Sequence, residues 1–228
     1  MEQRIDSATA YIILADGFET IEALTPLDVL RRCGVEVTTI SLNKTRAVRS
    51  SHGVTVEADA TMEDFMHNCN CCASAIGTGT NSSIAGSSTS ASSSSTTAST
   101  STNVSGTMRQ ALILPGGYPG YKNLCESPEV GALITQFHKE GKLLCAICGA
   151  PTALKANQIC RGAAITCHTS VKEELSDYYS ILSSAVVKYM NIITGMGAGR
   201  SLDFAFAIAE ALTSKEKVEE IKAKMEII

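Results

Sequence analysis

Residues 11–42 read YIILADGFETIEALTPLDVLRRCGVEVTTISL, and three signals in that order decide the fold. Tyr11 to Leu14 is a continuous apolar run ending in Ala15-Asp16-Gly17, the pattern of a buried parallel strand entering a turn. Ile21, Leu24, Leu27 and Leu30 then recur near helical spacing until Cys33-Gly34 stops the helix, and Val35 to Leu42 reads as a second strand. The alternation returns further on. Ala111 to Leu114 predicts a strand, Pro128 to Glu140 a helix, Lys142 to Ile147 a strand and Ala150 to Ala156 a short helix. Val186 to Lys188 and Asn191 to Thr194 fit a hairpin at one end. Ser201 to Leu212 and Lys215 to Met225 are closing helices, the first with Phe204, Ala205, Ile208 and Leu212 as its buried stripe. Strands alternating with helices predict an α/β fold whose mostly parallel central sheet is covered on both faces.

The pattern is interrupted once. From Ser74 to Thr107, 21 of 34 residues are Ser or Thr, and no Asp, Glu, Lys or Arg occurs from Phe65 to Met108. Such a tract buries too little apolar surface to offset its ordering entropy, so the sequence predicts a disordered, low-complexity loop at about 67–107. Closure entropy grows only logarithmically with length, so one domain spanning 1–228 tolerates it. At its start His67, Cys69, Cys71 and Cys72 are soft metal ligands, but two are adjacent and no second Cys-x-x-Cys follows, so no metal site is expected.

Composition removes several functions. The 228 residues carry a formal net charge of -4, without the basic surplus that phosphate neutralisation requires, so nucleic-acid binding is not expected. The apolar runs fall far short of the roughly 20 residues that span a bilayer. Met1 to Ala10 has no basic region followed by an apolar one, so the chain is expected to stay in the cytosol, where its nine cysteines read as thiols.

In parallel sheets ligands bind at the carboxyl ends of strands, and three such ends here are chemically unusual. Lys142-Leu-Leu-Cys-Ala-Ile-Cys148-Gly-Ala-Pro-Thr152 runs from a strand through Cys148 into a helix start. A thiol on that elbow projects from the sheet edge, and the helix N-terminus is expected to lower its pKa. Leu114-Pro-Gly116-Gly117 is a strand end whose glycine N–H groups, with that of Gly149, are candidate oxyanion donors. In Asp16-Gly-Phe-Glu19-Thr-Ile-Glu22, Glu22 falls among apolar neighbours, where a desolvated carboxyl beside a thiol would have a raised pKa and carry a proton. His168 closes the run Ile165 to His168 and is either a proton shuttle or a cap. Cys145 sits mid-strand, three residues before Cys148, so strand alternation predicts opposite faces and no redox pair. Gly195-Met-Gly-Ala-Gly199-Arg200 imitates a dinucleotide fingerprint, but Arg200 stands where glycine or alanine belongs and no βαβ unit follows. A glycine turn bordering the site is expected instead.

The stretch 12–42, with LPGGYPGYKNLCES, CAICGAPTAL, ITCH and GAGRSLDFAFAIAEAL in that order, resembles the DJ-one branch of the ThiJ/PfpI superfamily. The resemblance implies a flavodoxin-like three-layer sandwich and a homodimer, with the nucleophile at Cys148, its partner carboxyl at Glu22, donors at Gly116, Gly117 and Gly149, and the histidine at His168. It also implies a cofactor-free, metal-free glyoxalase or deglycase acting on small reactive aldehydes, or on glycated amines and thiols. The alternative it carries is a redox sensor or chaperone working through oxidised Cys148. In the peptidase branch a histidine follows the nucleophile; Gly149 stands there in this chain, which argues against peptidase chemistry.

Overall fold

A computed structural model of the chain describes residues 8–68 and 109–227. In chain order the elements are β1 (Thr9–Leu14), α1 (Thr20–Arg32), β2 (Glu36–Ser41), β3 (Ala47–Arg49), β4 (Thr55–Glu57), β5 (Ala60–Thr61), α2 (Met62–Asn68), β6 (Gln110–Leu114), α3 (Gly120–Glu126) and α4 (Pro128–Lys139). They continue with β7 (Leu143–Ile147), α5 (Pro151–Ala156), β8 (Ala164–Ile165), α6 (Lys172–Ser176), β9 (Ser180–Ile181), β10 (Val186–Tyr189), β11 (Ile192–Gly195), α7 (Ser201–Leu212) and α8 (Lys215–Lys224).

Seven strands form one sheet in the order β10-β11-β7-β6-β1-β2-β5. Within this sheet, among the described residues, only the β10–β11 pair is antiparallel, the hairpin expected at one end. Strand alternation divides the core into two layers. Ile13, Leu112, Leu114, Leu144 and Ala146 pack against Leu133, Ile134 and Phe137 of α4 on one face. Ile12, Leu14, Ile113, Cys145 and Ile147 pack against Leu30 of α1 and Phe204 and Ile208 of α7 on the other. The central strands read as continuous apolar runs because both their faces are covered.

Helix α4 starts where its sequence says it should. Ser127 Oγ accepts the Val130 N–H at 3.2 Å and donates to Glu129, with Pro128 in the first turn. Ser127→Ala is expected to cost about 1 kcal/mol, read from the urea midpoint at unchanged slope.

The expected loop at about 67–107 lies outside the described residues except for His67 and Asn68, which form the end of α2 instead of opening a loop. The His67 ring Nδ1 is 3.1 Å from the Glu63 carbonyl. Cys69, Cys71 and Cys72 lie outside the described residues too. Among the described residues no helix is long and apolar enough to cross a membrane.

Candidate active site

Strands β1, β6, β7 and β11 run parallel, so their carboxyl ends share one edge, and the loops leaving them build a cleft of about 600 Å³. Glu19, Glu22, Gly117, Cys148, His168 and Arg200 are among its lining residues. Cys148 follows β7 with φ +64, a left-handed conformation uncommon for a residue with a side chain. The neighbouring chain holds it there. Its N–H donates to the Gly195 carbonyl at 3.0 Å, and its carbonyl accepts the His168 N–H at 2.9 Å. Cys145 is wholly buried beneath α7, and Cys148 packs at the rim of the same core. The expected separation onto opposite faces fails because strand alternation ends at Ile147, before the elbow turns the chain. Both cysteines are free thiols.

Glu22 lies in the first turn of α1 and is 0 % exposed. Its Oε2 accepts the Gly116 N–H at 2.8 Å, while Oε1 is buried without a hydrogen bond of good geometry. Gly116 lies against both the acid and the nucleophile. A Cβ there would stand 2.6 Å from Glu22 Oε2 and 2.6 Å from Cys148 Cβ. The three glycines therefore divide their work: Gly116 holds the acid, while the N–H groups of Gly117 and Gly149 address the Cys148 sulfur.

Electrostatics couple the pair. Burial pushes the Glu22 carboxyl up to about 7, against the opposing contacts of the Cys148 thiol and the Gly116 N–H. Burial first, then the Glu22 charge and hydrogen bond, push the Cys148 thiol up to about 12, against the pull of the Gly117 and Gly149 N–H groups. The lowered thiol pKa expected from the helix start is thus overturned. The reason is physical: a six-residue helix cannot outweigh the burial of the sulfur, to which the charge of the adjoining Glu22 carboxylate adds. Once Glu22 carries a proton, that repulsion is gone and its O–H becomes a donor.

His168 lines the cleft but is itself exposed. Its Nδ1 accepts the Ser170 N–H at 3.2 Å and lies 2.9 Å from Ser170 Oγ, so the neutral ring carries its proton on Nε2. It is at once a cap and a cleft residue. The glycine turn at 195–200 borders the cleft, as its reading implied.

Sequence reasoning missed the cluster around Glu19. Its carboxylate accepts from Ser51 Oγ at 3.1 Å and lies 3.3 Å from His52 Nδ1, and its charge adds to the upward push on Glu22. No spacing signal joins residue 19 to residues 51 and 52. The bridge between Phe18 and Ser50 is what brings them together. Tyr121, also missed, lies where a Cβ on Gly149 would stand, 2.7 Å from its ring.

The sequence pattern of the DJ-1/PfpI family matches residues 8–211. Protein dj-1beta of Drosophila melanogaster is 32 % identical over 216 residues, covering 94 % of this chain and 95 % of that protein. The crystal structure of Drosophila melanogaster DJ-1beta superposes with a TM-score of 0.77 at 30 % identity, covering 97 % of this chain and 99 % of that one. Glutathione-independent glyoxalase DJR-1.2 of Caenorhabditis elegans is 39 % identical over 107 residues, 46 % of this chain and 56 % of that protein. A match over nearly the whole chain, on a sheet whose strand ends carry this cleft, places the protein in the DJ-1/PfpI family.

Proposed function

We propose that this protein is a cofactor-free glyoxalase, and by the same chemistry a deglycase, acting on methylglyoxal, glyoxal or their early adducts through Cys148. The observation that carries the reading is the pairing of an elbow cysteine with a buried carboxyl perturbed to about 7, beside two N–H groups addressed to the sulfur. The name of the C. elegans relative supports it.

With its proton on, Glu22 no longer repels a negative sulfur and its O–H can donate to Cys148, while the Gly117 and Gly149 N–H groups stabilise the thiolate against its burial. The thiolate adds to the aldehyde carbon, and the carbonyl oxygen takes the Glu22 proton, giving a hemithioacetal. Glu22, now a carboxylate, moves the carbon-bound proton to the adjacent carbonyl carbon through an enediol, with His168 assisting. Water then hydrolyses the resulting thioester, releasing lactate and restoring the thiol. In an adduct, the same attack would free the amine or thiol.

The test is lactate formation from methylglyoxal by purified protein without glutathione, with Cys148→Ala as the blank. Because the first step needs a protonated Glu22, the rate per folded enzyme is expected to fall as pH rises through about 7. No lactate from folded wild type would sink the reading. A redox-sensor role draws on one of the same features, since the Gly117 and Gly149 N–H groups would also hold a sulfinate on Cys148. Mass spectrometry of that cysteine after mild peroxide tests it. The single-domain organisation, the homodimer and the cytosolic location belong to the same proposal, and light scattering checks the dimer.

A further inference from the structure

The turn 195–200 ends in a cation that this mechanism leaves unused. Arg200 lines the cleft that holds Cys148 and Glu22, and its side chain is 57 % exposed. Among the described residues Asp203 is the only carboxylate paired with it, at 3.6 Å, longer than a hydrogen bond. The guanidinium therefore keeps planar N–H donors available to a second carboxylate, the geometry that arginine recognises best. Glu19 also borders the cleft, with its charge engaged by Ser51 and His52. An anionic group entering the cleft is repelled by Glu19 and drawn to Arg200. That field orients a molecule carrying a carboxylate at one end and a reactive carbonyl at the other.

We propose that Arg200 adapts this cleft to 2-oxoaldehydes whose far end is a carboxylate. The inference rests on the aldehyde chemistry assigned above to Cys148 and Glu22. A suitable probe is 4,5-dioxopentanoate, small enough for a cleft of about 600 Å³. Cys148 sulfur bonds to its aldehyde carbon as the C=O π pair takes a proton from Glu22. The aldehyde carbon's own proton then passes to the neighbouring ketone carbon, leaving a thioester. Water cleaves the C–S bond, its hydroxyl joining the acyl carbon and its proton returning by way of the sulfur to Glu22, and 2-hydroxyglutarate leaves. One water is consumed and no electron acceptor is needed.

The experiment compares kcat/KM for 4,5-dioxopentanoate with that for methylglyoxal in wild type, Arg200→Met and Asp203→Asn. Arg200→Met is expected to lower the ratio of the two on the order of tenfold, chiefly through KM for the anionic substrate. Asp203→Asn, which frees the guanidinium, is expected to raise it. Added salt should lower the wild-type ratio, because the contact is exposed. If wild type turns over methylglyoxal but Arg200→Met leaves the ratio unchanged, this inference falls and the aldehyde reading stands. If wild type turns over neither substrate, both fall.

Discussion

Glu22→Gln is expected to reduce lactate formation on the order of a thousandfold and yet to make the protein more stable than wild type above pH 7. The amide keeps the carboxyl's shape and can still accept the Gly116 N–H, so the site stays assembled. What it cannot do is give and retake a proton. A role confined to holding the chain together would predict the reverse, with activity retained in proportion to folded protein. Turnover within a few-fold of wild type would remove Glu22 from the chemistry.

The stability half follows from linkage. The folded carboxyl titrates at about 7 against an ordinary value of 4.5, so the native state holds a proton that the unfolded chain has lost between those values. Stability therefore falls as pH rises through that window, and the loss is complete above about 7. Its size is about 3 kcal/mol, because each pKa unit is worth about 1.4 kcal/mol. Glutamine has no such titration. Urea midpoints at pH 8 should place Glu22→Gln above wild type, and at pH 4 the difference should vanish. A stability difference that stays the same at both values would show that the folded Glu22 carboxyl keeps its ordinary titration.

The fold was legible because the strands that matter are covered on both faces. Tyr11 to Leu14, Ala111 to Leu114 and Lys142 to Ile147 lack alternation for that reason, and glycine or proline marks where each run stops. The short pieces were not. The β3–β4 hairpin, the two-residue strand β5 and helix α2 carry too few residues for any period to show. In the cleft, Cys148 could be read from the strand-to-helix passage, and Glu22 from an acid set among apolar neighbours. The direction of the thiol's shift could not, because it depends on how deeply the sulfur is buried and on a carboxylate 126 positions away in the chain. Nor could the role of Gly116. A Pro-Gly-Gly turn advertises free N–H groups, and only the tertiary structure hands one of them to Glu22.

Gly116→Ala is therefore expected to disable the site while leaving the sheet intact, with a rate loss of about a hundredfold or more. The reason is steric, since the backbone at this position has no positive φ and would accept alanine. The new methyl would stand 2.6 Å from both Glu22 Oε2 and Cys148 Cβ, and 3.1 Å from Cys148 Sγ. Cys148 cannot yield, because its N–H and carbonyl are tied to Gly195 and His168 and its φ is already +64. The displacement falls on the Glu22 carboxyl, which must leave the Gly116 N–H and abandon a buried donor, at about 1–3 kcal/mol. A double-mutant cycle isolates that clash: in a Glu22→Ala background the methyl meets no carboxyl, and its stability cost should shrink. An unchanged cost in that background would show that the methyl acts through Cys148 alone, and that Gly116 is small for the nucleophile's sake and not for the acid's.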